Sequence, residues 1–178
     1  MKTCFLSIDV EFLSSRSDKE NKNTKGIKEL NNILNIFKKH NANATLFTTG
    51  EVLEEYKDLA KQWAEKYEIA CHNYRHVSID NLTQEQREKE LDQFKNLYKE
   101  IFNKQPTGYR APRNIIDNEQ MNLLQEKGFL YDSSVFPRYP WPKKYAGYKG
   151  RAPKKPYHPS KKDYKKQGGM KILEIPES

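Results

Sequence analysis

The amino-acid sequence predicts an α/β fold in which parallel strands carry helices on their outside. Short apolar runs of strand-forming residues alternate with longer stretches whose apolar positions recur at helical spacing, in the order β-α-β-α-β-α-β-α-β-loop-β. Such alternation calls for crossover connections and hence parallel pairing. Polar residues also gather where the predicted strands end: Asp9 and Glu11, His72, Arg110 and Asp132. In parallel α/β folds that edge is where sites are built.

Each element has a local reason. Residues 4–10, Cys-Phe-Leu-Ser-Ile-Asp-Val, form a short apolar run that reads as a buried strand ending in carboxylates. A polar loop over 14–24 follows. Ile27, Leu30, Ile33, Leu34 and Phe37 then mark an amphipathic helix ending near His40 and Asn41. Residues 44–48 read as a second strand, and Gly50-Glu51 opens a second helix running to about Tyr67. Residues 68–71 are a third strand, with His72 directly at its end. Thr83-Gln84-Glu85-Gln86 resembles a capping box and starts a helix to about Phe102. Residues 106–110 lead into another strand end. A helix over 117–127 stops at Gly128, a suitable C′ residue. Residues 130–132 and 170–175 are the last two strands. Between them, 137–169 is rich in Pro, Gly, Lys and Tyr and reads as an exposed loop or flap.

Composition narrows the function. The chain has 178 residues, fitting one domain over 1–178. Hydrophobic residues are only 35%, but 12% aromatic residues argue against disorder. No apolar run reaches the ~18 residues of a transmembrane helix. The opening MKTCFLSIDVEF meets Asp9 and Glu11 too early for a signal peptide. Two cysteines, Cys4 and Cys71, make no disulfide framework and suit a reducing, cytoplasmic setting. The net charge of +8 is concentrated: Arg138 to Lys171 holds twelve Lys/Arg against one acid, Asp163. A basic segment thus sits on a mildly acidic body, as a solvated surface or a contact for an anionic partner.

Three sequence features point to chemistry. His72-Asn73-Tyr74-Arg75-His76 spaces two imidazoles at i and i+4, so a helical continuation after the strand would bring both to one metal. Two unrelated surface histidines are the plainer account. Asp9 and Glu11 project to one side of an extended segment, so one can bind metal while the other acts as base. A strand-end carboxylate capping a loop is the alternative. Arg110, before Ala111-Pro112, can hold a carboxylate ionised, or be an ordinary surface Arg before a turn.

In this order the segments resemble the polysaccharide deacetylase family, the NodB-homology domain of carbohydrate esterase family 4. The resemblance rests on Leu6-Ser7-Ile8-Asp9-Val10-Glu11, Ala44 to Glu51, the His72-x-x-x-His76 pair, Tyr109-Arg110-Ala111-Pro112, Phe129 to Ser134, and Ile172 to Pro176. It implies a partial, distorted (β/α) barrel with a long basic loop insertion. It implies a divalent metal, zinc above others, held by Glu11, His72 and His76. It makes Asp9 the general base, Arg110 its orienting partner and Asp132 a support for Arg110. It makes the backbone N–H of Arg113 an oxyanion donor. The implied activity is removal of an N-acetyl group from a sugar or polysaccharide.

The sequence departs from the family at one point. The family's general-acid histidine follows the last strand seen here, so the domain reads as incomplete at its C-terminus, and weak deacetylation is expected of the chain by itself. His158, with its neighbour Tyr157, is the candidate to approach the substrate from the basic loop. An open sheet edge beside the first strand invites self-association. Other readings are hydrolysis of a small amide or cyclic imide, and a non-catalytic module that binds metal and glycan. Nucleic-acid binding through the Tyr- and Lys-rich segment 138–171 is not expected, since no RNA- or DNA-binding motif accompanies it.

Overall fold

The structure, a computed structural model, describes residues 4–12, 25–137 and 152–177. Six strands form one sheet in sequence order: β1 (Ser7–Val10), β2 (Thr45–Thr48), β3 (Glu68–Cys71), β4 (Gly108–Tyr109), β5 (Tyr131–Asp132) and β6 (Leu173–Glu174). Every neighbouring pair is parallel. The connections carry α1 (Lys25–Lys39), α2 (Gly50–Glu55), α3 (Lys57–Ala64), α4 (Gln84–Phe102) and α5 (Asn118–Glu126). Among the described residues β1 pairs only with β2 and β6 only with β5, so the barrel-like sheet is not closed.

The two-residue strand period divides the side chains between two faces. Ile8, Val10, Leu46, Ile69, Cys71 and Tyr109 turn outward and join the core under the helices. Ser7, Asp9, Thr45, Phe47, Glu68, Arg110, Tyr131, Ser133 and Ile175 turn inward and line a cavity of about 830 Å³. Asp9 and Arg110 therefore face the inside of the curled sheet, and the apolar packing holds them from behind.

The helix ends are set locally, as read from the sequence. Thr83 and Gln86 exchange side-chain and backbone hydrogen bonds in a complete capping box at the start of α4. At the end of α5, Gly128 has φ +84, and the Gly128 and Phe129 N–H groups donate to Gln125 and Leu124. Asn41, with φ 49, closes α1 in the same way.

Several expectations are corrected. Among the described residues β1 is an edge strand, and the predicted run packs only at its end: Phe5 and Leu6, ahead of β1, are exposed at 66% and 37%, whereas Val10 is buried. Ile33 of the predicted apolar stripe also faces solvent, because the face that packs is Ile27, Leu30 and Leu34. The helix expected over 50–67 breaks at Tyr56, whose φ −120 and ψ 40 lie outside the helical region. The last strand shortens to two residues. Of the predicted loop, 138–151 lie outside the described residues. Residues 152–169 are irregular but packed, with Tyr157, Pro159 and Tyr164 buried and Tyr157 bridged antiparallel to Glu174. Those side chains are covered, while Lys154, Lys155, Pro156 and His158 beside them face solvent.

Behind the sheet, Asp132 and Glu174 are register partners on β5 and β6, and both are wholly buried. Burial raises both carboxyls, so the pair favours a neutral, protonated form over two adjacent charges. Burial, reinforced by the Asp132 charge, pushes the Glu174 carboxyl well above its ordinary value of 4.5. The folded chain therefore holds a proton that the unfolded chain releases. This contribution is complete below the ordinary value and is lost as pH rises through the folded one. Stability of the wild type is expected to fall as pH rises above the ordinary glutamate range, by at most about 1.4 kcal/mol per pH unit from this proton. Glu174→Gln supplies a permanent donor and should flatten that slope. Urea unfolding across pH checks it, and parallel curves for the two proteins would exclude the bound proton.

Candidate metal and catalytic site

The site assembles at the C-terminal ends of β1, β3 and β4. Glu11 follows β1, His72 follows β3, and His76 stands in the loop beyond it. The Glu11 Oε2 atom lies 2.5 Å from His76 Nε2 and 3.5 Å from His72 Nε2. One ligand atom from each residue falls within 4.8 Å of the others, the compactness a single metal ion needs. Burial opposes the Glu11 charge, but its contacts with His72 and His76 outweigh it and hold the carboxyl down at about 2.

Three details fit the set to a divalent cation. The Nδ1 atom of buried His72 lies 2.8 Å from the Arg110 carbonyl oxygen. A carbonyl only accepts, so Nδ1 carries a hydrogen, and Nε2, on the Glu11 side, is the ring nitrogen left to ligate a cation. Glu11 Oε2 is buried yet has no partner of hydrogen-bonding geometry among the described residues, despite the close imidazoles. Two imidazoles and a carboxylate are also the donors that zinc favours.

The expected helical turn is absent: Asn73 has φ 61, and the segment from Asn73 to Ser78 forms no helix. A loop brings the rings together, with centroids 5.2 Å apart. The Gly50 and Glu51 N–H groups at the start of α2 donate to the Asn73 and Tyr74 carbonyls. A Cβ on Gly50 would stand 2.3 Å from the Tyr74 ring, so only glycine admits the loop so close.

Arg110 joins the other half of the site. Its guanidinium is buried, 4.1 Å from the centroid of the Phe47 ring. Nη1 donates to Asp9 Oδ1 at 2.8 Å, Nη2 to Ser133 Oγ at 3.0 Å, and Nε to the Ser133 carbonyl at 2.8 Å. Nε also lies 2.7 Å from Glu177 Oε1. Glu177 was not singled out in the sequence; its carboxyl is raised by burial, against the pull of Arg110. No local motif marks it, because it meets Arg110 only through the fold.

The other predicted residues take different places. Asp132 accepts from Ser134 Oγ at 2.6 Å and lies beside Glu174 in the register, rather than bonding Arg110; it faces away from the cavity. Ser134 Oγ in turn accepts from the Ala111 N–H at 2.8 Å, so Asp132 anchors the turn that leads to Arg113. Arg113 has φ 59 and ψ 15, a left-handed conformation in the turn after Pro112. The exposed His158 places Nδ1 3.1 Å from the Ile172 carbonyl. Tyr157 is buried and donates its hydroxyl to the Tyr164 carbonyl, a packing role rather than an open contact surface. Lys154, Lys155 and Pro156 of the same segment do line the cavity.

An unclosed parallel α/β sheet with a Glu-His-His cluster beside an Asp–Arg pair at its strand ends places the chain in the distorted (β/α) barrel class. The polysaccharide deacetylase profile matches residues 27–131, and the chain belongs to that family. A peptidoglycan deacetylase from Helicobacter pylori is 34% identical over 104 residues, which are 58% of this chain and 36% of that protein. A peptidoglycan deacetylase-like protein from Gibberella zeae is 41% identical over 68 residues, 38% of this chain and 20% of that one. A crystal structure described as a polysaccharide deacetylase from Mycobacterium smegmatis superposes with a TM-score of 0.67 at 25% identity, covering 84% of this chain and 45% of that one. The matched stretches thus span less than half of each of these relatives.

Arg110 separates two carboxylates that would otherwise repel. Arg110→Ala should destabilise the protein by about 2–3 kcal/mol at neutral pH, below the 3–5 kcal/mol of a fully buried broken pair because Asp9 is 35% exposed. Denaturant titration measures this. A loss under about 0.5 kcal/mol would mean that the cluster contributes no stability.

Proposed function

We propose that the protein is a deacetylase that hydrolyses N-acetyl groups of a glycan with the help of a divalent cation, zinc above others. The observation that carries this reading is the convergence of Glu11, His72 and His76, with the His72 tautomer set by the Arg110 carbonyl. Family membership supports the glycan substrate class.

Glu11, His72 and His76 would hold the cation. Once bound, it supplies Lewis acidity to the acetamide carbonyl and eases deprotonation of water. Asp9 accepts the proton of the attacking water. Its carboxylate is aimed by the 2.8 Å bond from Arg110, which is locked by Ser133 and the Phe47 ring. The Arg113 N–H donates to the oxygen on which negative charge develops. The Asp132–Ser134–Ala111 chain fixes the turn carrying that donor. Asp9 and Arg110 reach the cavity inside the sheet, whose wall also carries Phe47 and Tyr131, while Glu11, His72 and His76 lie off its wall at the strand ends.

Two variants separate the roles. His76→Ala should abolish stoichiometric zinc uptake, measured by elemental analysis after dialysis. Asp9→Asn should keep the metal and lower acetate release from N-acetylglucosamine oligosaccharides by about 10²–10⁴-fold. Unchanged zinc content in His76→Ala would overturn the metal site. A wild type that binds zinc and oligosaccharide but releases no acetate would favour a non-catalytic module.

A further inference from the structure

The loop carrying both histidines has no helical hydrogen bonds to hold it, so its shape must be imposed from outside. The strongest external contact comes from Glu90 on α4, which is 1% exposed. Its Oε2 accepts from the Arg75 backbone N–H at 2.7 Å, and its Oε1 accepts from Arg75 Nε at 2.6 Å. Arg75 Nη2 closes on the same Oε1. One buried carboxylate thus grips both the backbone and the side chain of the residue immediately before His76. Leaving such a carboxylate buried would cost several kcal/mol if these partners were lost, so the grip holds the loop in one register. Two further contacts bracket the same loop. The Tyr109 hydroxyl donates to Asn73 Oδ1 at 2.9 Å and accepts from Gln120 Nε2 at 3.2 Å. The start of α2 caps the Asn73 and Tyr74 carbonyls.

We propose that Glu90 is a positioning residue for the cation site, setting His76 against Glu11 and His72 by clamping Arg75. Glu90 touches none of the three ligand side chains; it acts through the backbone one residue before His76. The inference rests on the metal reading above and adds a residue on a different element to it. Its physical basis is preorganisation: a ligand loop already held in place loses little entropy when a cation arrives.

The test uses the chain stripped of metal, with zinc added against a chromophoric chelator, and cobalt as a spectroscopic probe. Glu90→Ala should weaken zinc affinity about 10-fold or more, as loss of an outer-shell partner typically does. It should also alter the visible cobalt spectrum. Glu90→Gln, which keeps an acceptor for the Arg75 N–H, should recover most of the affinity. Leu97→Ala on the same helix serves as the control for general loss of stability. Wild-type affinity in Glu90→Ala, or an equal loss in Leu97→Ala, would overturn the proposal. Amide exchange of residues 72–78 in the metal-free chain gives an independent readout. Exchange at Arg75 and His76 should accelerate about 10-fold in Glu90→Ala and not in Leu97→Ala. Should the wild type bind neither zinc nor cobalt, the metal reading fails, while unchanged exchange in Glu90→Ala would separately refute the clamp.

Discussion

The buried guanidinium of Arg110 is the contact on which the site depends. It lies against the face of Phe47 and gives its donors to Asp9, to both oxygens of Ser133 and to Glu177. These partners come from β2, from the residues just after β5 and from both ends of the described chain. Its backbone carbonyl reaches a fifth segment, the one after β3, by accepting from His72 Nδ1. One residue therefore aims the candidate base and sets the tautomer of a candidate ligand. A planar cation with fixed donor directions can do this; a lysine, with one mobile ammonium, cannot.

The sheet supplies the rest by dividing labour between its two faces. Inward positions carry Asp9, Arg110 and the cavity wall. Outward positions carry the apolar core, and with it a carboxyl pair, Asp132 and Glu174, whose burial favours the neutral acid form. Asp132 is still tied to the site, through Ser134 and the Ala111 N–H. That chain of buried hydrogen bonds ends at the turn carrying Arg113. The barrel-like curvature places the ends of β1, β3 and β4 close enough for such chains to be short.

Much of the arrangement was legible along the chain. Strand and helix positions followed from apolar periodicity, and the capping box at Thr83 and the glycine at 128 marked helix ends correctly, because capping involves only near neighbours. Errors arose where a residue's surroundings come from distant segments. Periodicity could not show that β1 lies at an edge, so Phe5 and Leu6 read as buried. Nor could it show that Tyr157 is core, since its cover is provided by β6 and Tyr164. The spacing of His72 and His76 suggested convergence, but for a helical reason that does not apply.

By itself, then, the amino-acid sequence determined the order of strands and helices, the residue types at the strand ends and the resemblance that tied Asp9, Glu11, His72, His76 and Arg110 together. These are properties of local pattern and of order along the chain. Only the tertiary structure decided how the two histidines meet, through a left-handed Asn73 and a clamp from Glu90. Only it paired Asp132 with Glu174 and brought Glu177 to Arg110. The physical reason is that hydrogen bonds and ion pairs form across space, between groups whose separation in sequence carries no sign of their contact.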